Sequence, residues 1–289
     1  MNKPTNPFKE IKMAIDKMTE KEINGIKNTM IPDLSNEDYH LSDPYSNSEL
    51  STIHKSLASY LYKKENPDPP STEMTFGSAF HTLILEPDKF DDEFVFVEAS
   101  TRNTKIYKDA VKEEEDRSVL LMSEAQLLEA MKDSLMNHTI ASNMFSGGEA
   151  EQSFFWTDPE TGIRMKCRPD YLIEKVVVDL KTARDASYDA FLKNVIAYRY
   201  FVQNPLYTDG INQVSGYDVE KFVFVVVEKT PPHPVAIYQL DDVAIEHGRM
   251  VYREDLATLA AYLSNPIETW TGYPEEIQDM SLPQWAFYK

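Results

Sequence analysis

Short apolar runs mark the second half of the chain. Residues 176–178 (VVV) form an uninterrupted apolar run, and residues 222–227 (FVFVVV) form a longer one. Runs of this length, rich in β-branched and aromatic residues, are typical of buried strands. Residues 235–240 follow the second run after the loop KTPPHP, and we expect them to return antiparallel. The pattern predicts a central β-sheet.

Segments with helical periodicity alternate with these runs. A helix capped near Ser46 or Ser48, with Glu49 in its first turn, is predicted after a polar loop. Further helices are predicted at 76–85, 103–116, 123–144, 187–195, 198–215 and 243–263, and further strands at 91–98, 151–156 and 164–168. Helices interleaved with strands predict an α/β domain in which helices flank the sheet.

Two acids and a lysine lie around the first apolar run. Asp170 precedes it, and Asp179 and Lys181 follow it. Alternate residues of a strand face the same side, so Asp179 and Lys181 should point together while Leu180 points into the core. Two carboxylates could hold a hard divalent cation beside a lysine able to position or deprotonate a water. A solvated ion pair is the alternative, but a buried strand that ends in acids favours a ligand site.

Charged residues of both signs flank this group. Arg164, Lys166 and Arg168 alternate with apolar residues, which predicts a basic stripe on one strand face. Contacts with phosphates explain the stripe, and salt bridges to nearby carboxylates explain it equally well. Glu151 begins the hairpin that leads to Asp170 and is a candidate additional acid.

Composition limits the classes that remain. Of 289 residues 42% are hydrophobic, which supports a sizeable core, and the formal net charge is −19. A protein this acidic can bind DNA only through local positive charge. The single cysteine, Cys167, excludes an intrachain disulfide and an iron–sulfur cluster. No apolar run is long enough for a membrane span and no signal peptide begins the chain, so we expect a cytoplasmic protein without a membrane partner.

A family resemblance rests on motifs in a fixed order. Pro169-Asp170, eight intervening residues and Asp179-Leu180-Lys181 resemble the PD-(D/E)xK nuclease signature. The segments GSAFH at 77–81, LILEP at 83–87, 164–182, the helix with Gln203 and Tyr207, and 222–240 together resemble RecE-type (exonuclease VIII-like) exonucleases. The resemblance implies a restriction-endonuclease-like core, with a central mixed β-sheet flanked by helices. The N-terminal helical extension lies outside the resemblance and is predicted from its own apolar spacing.

The resemblance also implies roles for individual residues. The metal ligands would be His81, Asp170, Asp179 and the Leu180 carbonyl, around Mg²⁺ or Mn²⁺. Lys181 would orient the attacking water or stabilise charge on the phosphate, and Gln203 and Tyr207 would orient the substrate or the site. Pro205, inside this last motif, departs from the family pattern, because proline must lie in a first helical turn or kink the helix.

The implied activity is digestion of linear double-stranded DNA from a 5′ end, which leaves a 3′ single strand. The implied partners are DNA ends, a single-strand annealing recombinase and further copies of the chain in a trimeric or tetrameric ring, in a bacterial cell that carries a phage or prophage. Two alternatives stay open: an endonuclease or single-strand nuclease of the same fold, and a catalytically silent DNA- or protein-binding module.

Three segments are expected along the chain. Residues 1–37 carry spaced isoleucines among charges and are predicted to be a helical arm. Residues 38–270 are predicted to be the nuclease domain. Residues 271–289 form an aromatic tail, which with Trp270 is a candidate subunit contact.

Overall fold

The computed structural model describes residues 28–114, 116–214, 216–264, 273, 276–282 and 284–287. Within them the strands are β1 Thr29–Ile31, β2 Phe94–Val97, β3 Ser118–Leu121, β4 Glu149–Ala150, β5 Ser153–Thr157, β6 Arg164–Cys167, β7 Tyr171–Ile173, β8 Val176–Ala183, β9 Lys221–Glu228 and β10 Val235–Tyr238. The α-helices are α1 Asn36–Leu41, α2 Asn47–Lys55, α3 Leu57–Glu65, α4 Thr72–Leu85, α5 Phe90–Glu93, α6 Lys105–Glu113, α7 Met122–Asn137, α8 Thr139–Met144, α9 Tyr188–Ala197, α10 Tyr200–Ile211 and α11 Asp242–Ser264. Short 3₁₀ helices lie at Pro87–Lys89 and Gln284–Phe287.

The largest sheet among these residues has the order β10-β9-β8-β7-β4. Strand β8 runs parallel to β9 and antiparallel to β7, so the sheet is mixed. Strand β10 returns antiparallel to β9, as predicted. The predicted α/β architecture, a mixed sheet flanked by helices, is confirmed.

Hydrophobic cores cover both faces of this sheet because β8 and β9 are apolar on both sides. The core on one face is formed with α10 and α11 and includes Val177, Phe224, Val226, Leu206 and Leu256. The core on the other face is formed with α4 and α7 and includes Leu180, Val225, Phe80 and Leu128. Strand β8 is therefore a buried central strand, and its carboxyl-terminal half is held rigidly.

A smaller sheet of order β1-β5-β6 lies beside the large one. The chain leaves the large sheet after β4 and enters the small sheet at β5, and it makes the reverse crossing between β6 and β7. The two crossings meet where the Glu151 N–H donates to the Asp170 carbonyl over 3.1 Å. The candidate acids therefore lie at the junction of the sheets.

Part of the predicted N-terminal arm belongs to the small sheet. Thr29 pairs with Phe155 and Ile31 with Ser153, so residues 29–31 are a strand and not a helix. The spaced isoleucines up to residue 26 lie outside the described residues. Ile31 packs with Leu34, Tyr39 and Phe155 in a small buried cluster of its own. The hydrogen-bonded pairing with β5 therefore ties this part of the arm to the domain.

Helix α10 begins at Tyr200, two residues later than predicted, so Gln203 lies in its first turn. Pro205 lies inside the helix and cannot donate to the Phe201 carbonyl. Gly248 of α11 lies against that carbonyl: a Cβ at position 248 would stand 1.8 Å from the Phe201 oxygen. Pro205 therefore lies where Gly248, which has no side chain, lets α11 come close to α10.

Other elements agree with the sequence or differ locally. Of the two predicted caps, Ser46 caps α2, and Glu49 lies in the first turn as predicted; the two residues form a reciprocal capping box. Strand β3 was not predicted; it lies between the two predicted helices at 103–116 and 123–144, and it pairs parallel with β2. In the aromatic tail Tyr273 and Phe287 are exposed, while Trp270 and Tyr288 lie outside the described residues. Every described helix is too short or too polar to cross a bilayer.

Candidate active site

Strand β8 presents Asp179 and Lys181 on one face, as the alternation predicts. Leu180 between them is fully buried in the opposite core. The Lys181 Nζ lies 2.5 Å from Asp179 Oδ2, and the Asp179 side chain is 1% exposed. Burial, followed by repulsion from Asp170, raises the pKa of Asp179 to about 6 despite the nearby ammonium.

Asp170 faces this pair from the strand beside it. The antiparallel register pairs Tyr171 with Val178, and its continuation by one residue sets Asp170 opposite Asp179. The Leu180 N–H donates to Asp170 Oδ2 over 2.7 Å. Burial raises the pKa of Asp170, although the Lys181 charge and this hydrogen bond both oppose the shift.

His81 reaches the same point from helix α4. Its Nδ1 lies 3.5 Å from Asp170 Oδ2, and its side chain is 25% exposed to the cleft. Burial and the Lys181 charge lower the pKa of His81 to about 4, although the Asp179 charge and a hydrogen bond with the Leu180 backbone act the other way. At neutral pH the imidazole is therefore neutral, which is the form that binds a metal.

Glu151 completes the group from the sheet crossing. Its φ of 50° lies in the left-handed region, which turns the chain between β4 and β5. Burial and then repulsion from Asp170 raise the pKa of Glu151 to about 8. This group places two crowded carboxylates where both are poorly solvated, an arrangement that a bound cation would relieve.

His81, Glu151 and Asp170 can together hold a metal ion, because one ligand atom from each lies within 4.8 Å of the others. One neutral imidazole and two carboxylates suit a divalent cation such as Mg²⁺ or Mn²⁺. The donor chemistry therefore fits the metal that the resemblance implies.

This arrangement differs from the expected ligand set. Asp179 is outside the three-residue group, and its role as a ligand stays a prediction. Lys181 contacts its Oδ2, and the Gln203 amide donates to its Oδ1 over 2.7 Å. Glu151, expected only as an additional acid, is in the group. The Leu180 backbone contacts both Asp170 and His81, and the role of its carbonyl as a ligand stays a prediction.

Gln203 and Tyr207 share one face of α10 and line the same cleft as His81, Glu151 and Asp170. Gln203 is buried, and its contact with Asp179 fixes the carboxylate that Lys181 also touches. Burial raises the pKa of the Tyr207 phenol well above its usual value, so the group stays neutral. The structure thus brings together the helix motif and the strand motif.

The basic stripe requires a correction. Lys166 is 3% exposed, and its ammonium donates to the Tyr39 and Ser42 carbonyls over 2.8 and 2.7 Å. It faces the segment around α1 and cannot reach a phosphate in this structure. Lys166 is therefore a structural residue, because the strand face that carries it is covered by residues distant in sequence.

Arg168 lines the cleft, but its guanidinium also makes contacts within the chain. Its Nε donates to Ser153 and its Nη1 to Asn36, and its Nη2 donates to the Leu34 carbonyl. The guanidinium carbon lies 4.3 Å from the centroid of the Tyr39 ring. Arg164 begins β6, away from the residues that line the cleft. Phosphate contacts by Arg164 and Arg168 stay predictions.

Several cleft residues could not have been chosen from the sequence. Ser46, Asn47 and Ser48, at the start of α2, line the cleft together with His40. Tyr200 lies next to Lys181, with 4.9 Å between Nζ and the ring centroid. Only the closeness of Tyr200 to the motif residue Gln203 could have suggested it.

Comparisons with known proteins agree with this geometry. A sequence profile described as "PDDEXK-like domain of unknown function (DUF3799)" matches residues 46–279. The chain is similar in structure to the crystal structure of a "Putative exonuclease" from Eubacterium rectale, with a TM-score of 0.60 and 16% identity, covering 88% of this chain and 98% of that one. Identity at this level shows a shared fold alone. No curated protein matches the sequence.

The predicted membership of the PD-(D/E)xK superfamily is confirmed, whereas the RecE-type subgroup stays a prediction. The profile covers most of the chain and includes His81, Glu151, Asp170, Asp179 and Lys181. The chain belongs to the family of PDDEXK-like domains of unknown function, DUF3799.

Proposed function

We propose that this protein is a divalent-metal-dependent nuclease that digests linear double-stranded DNA from its ends. The observation that carries the proposal is the closeness of two groups. His81, Glu151 and Asp170 line one open cleft, and Asp170 lies opposite the buried Asp179, which contacts Lys181. A structural ion pair would not need a neutral histidine and two further acids with raised pKa values beside it.

His81, Glu151 and Asp170 would hold the cation, with Asp179 beside them. When bound, the ion supplies a Lewis acid for the scissile phosphate and lowers the pKa of a water. Before binding, burial and repulsion from Asp170 raise the pKa of Glu151 to about 8, so Glu151 would release its proton when the cation binds.

Lys181 would act as a cation in this mechanism. Burial opposes its charge, but Asp179 and Asp170 together raise the pKa of its ammonium above the ordinary value. A lysine held in this way donates hydrogen bonds and stabilises negative charge, and it is a poor general base. Of the two roles open from the sequence, orienting a water and deprotonating it, the first is favoured.

Gln203 would position the site. Its amide holds one oxygen of Asp179 while Lys181 takes the other, so Asp179 is fixed and Lys181 is fixed with it. Tyr207, on the same helix face, lies in the cleft where a substrate would pass.

The finer assignment rests on the resemblance. It comprises digestion from the 5′ end, a 3′ single-stranded product, and work with a single-strand annealing recombinase in phage-type recombination in the bacterial cytoplasm. Mg²⁺ is the proposed ion, and the imidazole in the ligand group suits Mn²⁺ as well.

The test uses DNA substrates that differ in topology. Purified protein is incubated with linear duplex DNA labelled at either the 5′ or the 3′ end, with linear single-stranded DNA, with nicked circles and with closed circles, in Mg²⁺, in Mn²⁺ and in EDTA. We expect cleavage of linear duplex DNA and of neither kind of circle, early release of the 5′ label and no cleavage in EDTA. Lys181→Ala should abolish it, whereas Lys193→Ala, at an exposed lysine of α9, should not.

Each of the other possible results would indicate a different function. Cleavage of closed circles would indicate an endonuclease, and digestion of single strands alone would indicate a single-strand nuclease. A folded protein that cuts none of these substrates with either ion would be a binding module, and the proposal would fail.

We also propose that the active form is a ring of three or four subunits around DNA. The exposure of Tyr273 and Phe287 in the single chain supports a contact through residues 271–289. Light scattering of the full chain should give a trimer or tetramer. A monomer that dissociates from DNA after each cut would contradict the ring.

A further inference from the structure

The ammonium of Lys181 lies between a carboxylate and an aromatic ring. Its Nζ is 2.5 Å from Asp179 Oδ2 and 4.9 Å from the centroid of the Tyr200 ring. A lysine side chain has four rotatable bonds, so one carboxylate contact leaves the direction of its remaining N–H groups poorly defined. A ring face within about 6 Å of a desolvated cation adds an attractive contact.

The ring of Tyr200 is itself held in place. Its centroid lies 5.8 Å from that of Phe224 on the central strand β9 and 6.1 Å from that of Phe191 on α9. Phe191 in turn stacks on Tyr238 with 5.2 Å between centroids. The ring therefore belongs to an aromatic layer that is anchored on the sheet.

The backbone before Tyr200 is fixed as well. Arg199 has a φ of 58°, in the left-handed region, and ends the connection between α9 and α10. Its guanidinium forms a buried ion pair with Asp255 of α11. Because this residue sets where α10 begins, it also sets the position of Tyr200 relative to β8.

We propose that Tyr200 is a positioning residue for Lys181: the face of its ring holds the ammonium against Asp179 and so fixes the direction of the remaining N–H groups. The inference rests on the proposed nuclease function, in which Lys181 acts on the water or the phosphate. Burial raises the pKa of the Tyr200 phenol, so the ring stays neutral and its face carries the attraction.

The proposed contact uses the ring of Tyr200 and not its hydroxyl, so variants that keep or remove the ring should differ in activity. Tyr200→Phe keeps the face and should keep wild-type kcat. Tyr200→Leu removes the face and should lower kcat by roughly tenfold, with KM for DNA unchanged. Tyr198→Leu is the matched control, because this exposed tyrosine packs on Tyr200, with 5.7 Å between ring centroids, and contributes no ring contact to Lys181.

Nuclear magnetic resonance of protein labelled with ¹³C at lysine tests the contact without any nuclease assay. The ε-methylene signal of Lys181, assigned by its loss in Lys181→Arg, should be shifted upfield by the ring in the wild type and in Tyr200→Phe. In Tyr200→Leu it should move to the position of solvated lysines. If Tyr200→Leu does not fold, Tyr200→Met replaces it.

The outcomes separate this inference from the proposed function. A Lys181 signal at the ordinary position in the wild type, or one that Tyr200→Leu leaves in place, would overturn the contact. Full kcat in Tyr200→Leu would overturn the role in positioning. An equal loss of kcat in Tyr200→Phe and Tyr200→Leu would overturn it too, because the hydroxyl would then be the group that matters. A ring-shifted signal in a protein that cuts no DNA would keep the contact and reject the nuclease.

Discussion

Replacement of Lys166 tests whether this residue holds the fold or binds DNA. The side chain is 3% exposed, and its ammonium donates to the Tyr39 and Ser42 carbonyls and to the Ser42 hydroxyl. Lys166→Met keeps the length of the side chain and removes all three hydrogen bonds. The Ser42 carbonyl is then left without a buried donor, at about 1–3 kcal/mol, whereas the Tyr39 carbonyl still accepts from the Ser42 hydroxyl over 2.7 Å. The cost of burying the ammonium disappears as well.

The net loss of unfolding free energy should be about 1–3 kcal/mol. For a chain of this length that corresponds to a fall in melting temperature of roughly 2–6 °C. Urea unfolding measures the free energy, and fluorescence anisotropy with labelled duplex DNA measures affinity under conditions where the variant is folded. Lys193→Met, at an exposed lysine, serves as the control.

We expect the folded Lys166→Met variant to bind DNA as tightly as the wild type. A variant with unchanged stability and weakened, less salt-dependent binding would refute the structural role and restore Lys166 to the phosphate-binding stripe.

Two further predictions concern the metal ligands. His81→Ala should lose activity with either ion. Its unfolding free energy should fall by less than about 1 kcal/mol, because the imidazole is partly exposed. A larger loss of stability with retained specific activity would show that His81 is a core histidine. For Glu151, the pKa of about 8 means that the folded state keeps a proton which the unfolded state loses above about pH 4.3, so metal-free stability should fall as pH rises from about 5 to 8. Glu151→Gln should flatten this dependence of stability on pH, and Mg²⁺ should stabilise the wild type increasingly as pH rises. Urea unfolding midpoints at each pH, with Mg²⁺ or with EDTA, measure both effects. Equal midpoints for the wild type and Glu151→Gln at every pH would contradict the assignment.

The part of the site that sequence could predict is local. Alternation along β8 is enough to place Asp179 and Lys181 on one face and Leu180 on the other. The apolar run before them is enough to make this strand central. The helix spacing of Gln203 and Tyr207 is likewise a local property, which the interior position of Pro205 does not disturb.

The part that sequence could not predict depends on distant segments. Alternation correctly puts Lys166 and Arg168 on one strand face, but only the fold shows that residues 34–42 cover that face. Glu151 lies near His81 and Asp170 because the chain crosses between two sheets there. The crossing uses a positive φ at Glu151, which a glutamate in the sequence does not predict. Asp179 contacts Lys181 and Gln203, and its contact with Gln203 depends on the packing of α10 against the sheet.

The positions of Lys166 and Arg168 bear on how a ring of subunits would hold DNA. Several copies around one channel would add their phosphate contacts together, so the affinity depends on how many contacts each stripe supplies. Lys166 is engaged inside the protein, and all three nitrogens of Arg168 donate within the chain. Each stripe then brings fewer phosphate contacts than its three charges suggest, and the affinity for DNA at physiological salt falls steeply as the number of neutralised phosphates decreases. A ring would therefore retain DNA mainly by enclosing it, and the metal bound near Glu151 and Asp170 would supply the positive charge that the cleft itself needs.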